Sequence, residues 1–120
     1  MTILIVDDSR AMRMLIMRAV RQAGFRDHTM IEAANGKEAL AQVASHDPDV
    51  IISDWNMPVM SGFDLLEELN RQKSRAKFGF VTSESTEEMR TRAMEAGAVF
   101  VIVKPFSTEE FQYTLEQVIG

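Results

Sequence analysis

Three short apolar runs along the chain each end abruptly on an ionic group: ILIV on Asp7-Asp8, VIIS on Asp54, and VFVIV on Lys104-Pro105. Unbroken runs of this length, rich in Val and Ile, suit strands buried on both faces, as in a parallel sheet. With two further runs they predict strands over Thr2–Val6, His28–Ala33, Val50–Ser53, Phe78–Thr82 and Val99–Val103. The second is the most polar and reads as an edge strand. Between the strands lie helical patterns of roughly ten to fifteen residues, the length of βα units. Capping signatures mark helix starts at Asn35 with Glu38, Ser61 with Asp64, Ser85 with Glu88, and Ser107 with Glu110. Glycines at Gly24 and Gly97 mark helix ends. The first helix lines up Met12, Leu15, Ile16, Ala19 and Ala23 as an inward stripe, and the last lines up Phe111, Leu115, Val118 and Ile119. The pattern is (βα)5, which predicts an α/β fold: a doubly wound parallel sheet between two helix layers.

Composition narrows what such a domain does. A chain of 120 residues with 46% hydrophobic content builds one domain with a real core. The net charge of −5 argues against nucleic acid or an anionic membrane as the main partner. There are no cysteines, which excludes disulfides, thiolate metal sites and thiol nucleophiles. No stretch approaches the ~20 apolar residues of a membrane span, and the first apolar run is too short for a signal peptide. A soluble, cytoplasmic protein is the expectation. His28 and His46 stand far apart and read as surface or loop residues. The nine methionines mostly read as core filler.

Strands of one parallel sheet present their C-terminal ends along a single edge, where ligands of open α/β sheets bind. Asp7, Asp8, Asp54, Thr82 and Lys104 all fall at that edge. Taken singly, Asp8 reads as a cap for a helix starting near Ser9, Asp54 as a turn residue, and Lys104 as a solvated strand end. Taken together, three carboxylates repel one another and make sense around a cation. Oxygen donors without histidine or cysteine suit a hard ion, Mg2+ above all, which keeps waters for a phosphate. A lysine and a hydroxyl facing the same ion suit the other oxygens of a phosphoryl group, and one carboxylate would be its acceptor.

Asp7-Asp8, the segment SDWNMPVMSG from Ser53 to Gly62, Thr82-Ser83 and Lys104-Pro105-Phe106 together resemble a response-regulator receiver domain, most of all the single-domain chemotaxis regulators of the CheY type. The resemblance runs over essentially the whole chain, residues 1–120, in order and spacing. It implies a flavodoxin-like fold with strand order 2-1-3-4-5, for which CheY is itself a known example, and a site at the switch point between the first and third strands. It implies that Asp54 accepts a phosphoryl group from a histidine kinase or a small phosphodonor. Asp8, Asp54 and the backbone carbonyl of Asn56 would bind Mg2+ directly, and Asp7 through water. Thr82 and Lys104 would contact phosphoryl oxygens, and the Lys104-Pro105 peptide would be cis. The resemblance implies that Asn56 and Glu84 tune the phosphoryl lifetime, both matching what CheY-like proteins carry. It also implies that the small Ser83 leaves the phosphoryl group open to water or a phosphatase, and together these imply fast cycling.

One departure concerns readout. The resemblance calls for an aromatic residue where this chain has Val101, and strand alternation turns Phe100 to the other face. Threonine movement would then be read through the loop Ser83–Ser85 and the helix after it, or output would be less tightly switched. The usual output face would draw on Arg90, Met94, Val101, Phe106 and Tyr113. Arg10, Arg13, Arg18, Arg21 and Arg26 read as the solvated face of the first helix, with kinase docking as the alternative. Trp55 reads as packing.

The function implied is a phosphorylation-dependent switch of a two-component system, not an enzyme beyond its own phosphorylation and dephosphorylation. Its targets would be a motor switch, a phosphotransfer protein or a phosphatase. It would act as a monomer, or as a dimer formed on phosphorylation. Two related readings are a phosphorelay intermediate and a receiver from a larger regulator. A haloacid-dehalogenase-like phosphatase would need an aspartate general acid at Asn56, which asparagine does not replace.

Overall fold

The computed structural model describes residues 1–119. Strands and helices alternate from end to end: β1 (Thr2–Val6), α1 (Arg10–Val20), β2 (Thr29–Ala33), α2 (Gly36–His46), β3 (Val50–Ser53), α3 (Gly62–Arg71), β4 (Lys77–Thr82), α4 (Glu87–Glu95), β5 (Phe100–Val103) and α5 (Thr108–Val118). All strand pairs are parallel, in the order β2-β1-β3-β4-β5. This is the flavodoxin-like (βα)5 arrangement expected, with the polar second strand at an edge. His28 lies outside β2, and β5 begins at Phe100 rather than Val99. Among the described residues no helix is long and apolar enough to cross a membrane.

Period-two alternation splits the sheet side chains between two cores. Ile3, Ile5, Val50, Ile52, Val81, Phe100 and Ile102 pack with Ile16, Val20 and Ala23 around α1, and with Phe111 and Leu115 of α5. Leu4, Val6, Ile51, Phe78 and Phe80 pack with Ala39 of α2, Leu65, Leu66 and Leu69 of α3, and Ala93 of α4. Helices therefore cover both faces, and the apolar runs ILIV and VIIS are the central strands β1 and β3, while VFVIV forms β5 at the edge opposite β2. The Phe100 ring lies flat against Gly79 on the neighbouring strand, where an added Cβ would fall 2.2 Å from it.

Most helix starts follow the capping signatures. Asn35, Ser61 and Ser107 each accept a backbone N–H from the residue three positions on. Ser9 caps α1 in the same way, accepting from Met12, so Asp8 is released from that role. The fourth helix corrects its expectation: the cap is Thr86, accepting from Met89, and not Ser85. Leu15 is corrected too, since it is 49% exposed while its neighbour Ile16 is fully buried. Gly24 and Gly97 have φ of 99° and 101°, a conformation natural to glycine at a helix end. Six methionines, Met12, Met17, Met30, Met57, Met60 and Met89, pack against the two cores as expected.

Candidate functional site

Register alone brings the acidic residues together. β1 and β3 pair as far as Val6 opposite Ser53, so the next residues, Asp7 and Asp54, emerge side by side at the C-terminal edge. Their backbones are fastened to the neighbouring strands: Asp54 N–H donates to the Val6 carbonyl at 2.9 Å, and Asp7 N–H donates to the Ala33 carbonyl at 3.2 Å. Carboxylate oxygens of Asp7, Asp8 and Asp54 lie within 4.8 Å of one another. Asp7 and Asp54 are buried, whereas Asp8 opens to solvent.

The β4–β5 pairing delivers the rest. Thr82 pairs with Val103, and the next residue, Lys104, donates its N–H to the Thr82 carbonyl at 2.8 Å. Its ammonium lies 3.3 Å from Asp7 Oδ2 and 3.8 Å from Asp54 Oδ1. The Lys104-Pro105 peptide is cis, as the resemblance implied. Thr82 is fully buried, and its hydroxyl oxygen accepts the Glu84 N–H at 3.3 Å. Ser83, Glu84 and Asn56 are exposed around the rim.

Burial raises the Asp54 carboxyl above its ordinary value; Lys104 works against that, Asp7 adds to it, and the N–H groups of Trp55 and Asn56 oppose it. Two like charges about 4 Å apart repel by about 4 kcal/mol at an effective dielectric near 20. One ammonium against three carboxylates leaves a surplus of two negative charges, which a divalent cation offsets. The donors are all oxygen, and Asp8 leaves the pocket open to solvent, so the residues fit a hard cation that retains water.

The acceptor-side loop is held from beneath. Trp55 donates its backbone N–H to Asp54 Oδ1 at 2.8 Å and buries its ring between Phe63 and Phe80, with centroids 5.3 and 4.7 Å away. The Arg92 guanidinium of α4 sits 4.4 Å from the Phe63 centroid on that same stack. Trp55 is thus packing, as expected. Gly62 begins α3 so close to the strand end that a Cβ would lie 2.0 Å from the Asp54 carbonyl oxygen.

Other expected residues fall elsewhere. Met94 and Tyr113 are exposed, as is Arg90, while Val101 is half-buried among the α4-side core. Phe106 turns toward α1, meeting Phe111 in a tilted contact with centroids 5.0 Å apart and lining a groove with Met12 and Leu15. Arg10, Arg18, Arg21 and Arg26 are exposed, but Arg13 departs from the solvated face. Its side chain is only 14% exposed and is tied to Asp7 and Glu32. The missed signal was position: Arg13 follows the Ser9 cap by one turn, and helical side chains lean back toward the N-terminus.

The model of the response regulator receiver domain family matches residues 3–116. The chemotaxis protein CheY1 of Helicobacter pylori is 38% identical over 124 residues, covering 100% of this chain and 98% of that protein. The phosphate regulon transcriptional regulatory protein PhoB of Pseudomonas aeruginosa is 34% identical, and the match covers 98% of this chain and 51% of PhoB. The structure of chemotaxis protein CheY4 of Vibrio cholerae superposes with a TM-score of 0.87 at 35% identity, covering 98% of both chains.

Proposed function

The chain belongs to the response regulator receiver domain family, and on that premise we propose that it is a cytoplasmic, phosphorylation-dependent switch that takes a phosphoryl group on Asp54 with Mg2+ bound beside it. Membership makes it a component of two-component signalling, a signalling protein rather than a conventional enzyme. Full-length likeness to chemotaxis proteins supports a place in chemotaxis. A histidine kinase would supply the phosphoryl group, and a protein target such as a motor switch, phosphotransfer protein or phosphatase would read it.

The observation that carries this reading is the buried Asp54 carboxylate facing both an acidic pair and the Lys104 ammonium. Asp8, Asp54 and the Asn56 carbonyl would hold Mg2+ directly, and Asp7 through water. Bound there, Mg2+ supplies positive charge against the carboxylates and the phosphoryl oxygens. An Asp54 oxygen attacks phosphorus while the bond to the donor, a histidine nitrogen or an acyl oxygen, breaks. The product is an aspartyl phosphate, and the electron pair leaves with the donor. Lys104 moves its charge from Asp7 and Asp54 to a phosphoryl oxygen. Thr82 exchanges the Glu84 amide for a phosphoryl oxygen, donating its hydroxyl proton. Asn56, Ser83 and Glu84 at the exposed rim govern how water reaches the phosphoryl group. The output face uses Met94, Tyr113 and Arg90 beside Val101.

Treatment with acetyl phosphate and Mg2+ tests the proposal by intact mass. Wild type is expected to gain one phosphoryl group, and Asp54→Asn none; an unmodified wild type would overturn the switch reading.

A further inference from the structure

Asp7 uses every polar group it has. Its N–H donates to Ala33, Oδ1 accepts the Ser9 N–H at 2.9 Å, and Oδ2 faces Lys104. Its carbonyl accepts Arg13 Nη1 at 2.8 Å, and Arg13 Nε donates to Glu32 Oε1 at 2.9 Å. The Asp7 carbonyl and the Asp8 N–H belong to one rigid peptide plane. A guanidinium anchored on that carbonyl therefore sets how the chain turns from one acidic residue to the next. Asp8 itself is exposed. Glu32, from the edge strand β2, fixes the far side of the fork and neutralises it, so no bare guanidinium charge stands beside a cation pocket. The planar guanidinium holds its donors to the two oxygens in one fixed geometry, which the rotatable donors of an ammonium on a flexible stem do not.

We propose that Arg13, braced by Glu32, is a positioning residue for divalent-cation binding: it orients the Asp7–Asp8 peptide so that the Asp8 carboxylate meets those of Asp7 and Asp54. This rests on the reading of the acidic cluster as the Mg2+ site. Groups that orient metal ligands from behind commonly change affinity by 10- to 100-fold. Arg13 acts on the backbone joining two ligands, so the lower end, about tenfold, is expected.

Isothermal titration of Mg2+ into wild type, Arg13→Ala, Arg13→Lys and Glu32→Gln reads this directly, with the cation-free melting temperature measured alongside. Kd is expected to rise about tenfold in both Arg13 variants, and by less in Glu32→Gln. A lowered melting temperature with an unchanged Kd would reduce Arg13 to a structural brace and overturn the proposal. Tighter binding in Arg13→Ala with no change in Arg13→Lys would show that only charge matters, and would overturn it equally. Should Arg13→Ala not fold, the two milder variants decide, and an unchanged Kd in both is fatal. A wild type that does not bind Mg2+ would bring down the cation site itself; normal wild-type binding confines any failure to Arg13.

Discussion

Asp54 is held in a setting that opposes its own charge, and that sets a pH dependence. Burial, more than any neighbour, lifts its carboxyl above the ordinary 3.8. The folded state therefore binds this proton more tightly than the unfolded chain does. The resulting stability is fully present below 3.8 and is lost as pH rises through the lifted folded value. Asp54→Asn removes the titration. In urea unfolding without Mg2+, the variant is expected to gain on wild type across that window and remain the more stable at neutral pH. Added Mg2+ should narrow the gap by binding wild type. A difference in midpoint that stays constant with pH would refute this account. The acidic residues and Lys104 were legible in the sequence because each interrupts an apolar run. Arg13 was not, because an arginine at a helix start looks the same whether it faces water or the edge of β2.

At the scale of elements, the stretch Ser83–Glu88 shows how far local signals reach. Ser85 has Glu88 three positions on, and Thr86 has Met89; both are competent caps. The structure uses Thr86, with Ala93 buried and Met89 partly buried against the α4-side core. Thr86→Ala is expected to cost about 1 kcal/mol of stability, while Ser85→Ala stays within about 0.5 kcal/mol, both read from urea denaturation. Equal losses would refute Thr86 as the single cap of α4. Leu15 and Ile16 pose the same problem in α1: both are apolar neighbours, and only the docking of the helix on the sheet gives the core to Ile16.

For the whole molecule, the proposed switch must pass a change at Asp54 to its partner with Val101 in β5 where the family resemblance calls for an aromatic. Phe100 offers no substitute, since its ring is committed to Gly79 and the α1–α5 core. The Thr82 hydroxyl accepts the Glu84 N–H, so drawing Thr82 toward a phosphoryl group frees that amide and loosens the turn into α4. Beryllofluoride with Mg2+ is therefore expected to speed hydrogen exchange at Glu84 in wild type but not in Thr82→Ala; unchanged exchange in wild type would rule out this route. The alternation of strands and helices, the polar edge strand, the two helix layers and the gathering of Asp7, Asp8, Asp54, Thr82 and Lys104 at one sheet edge all follow from the sequence alone. Each depends on periodicity or on charges that end a buried strand, and those are local. The tertiary structure alone decided that Arg13 bonds the Asp7 carbonyl and Glu32, that Thr86 caps α4, that Leu15 is left half-exposed and that Phe106 lies beside α1. Such outcomes depend on the phase in which each helix docks on the sheet, a sum over distant contacts that no window of sequence contains.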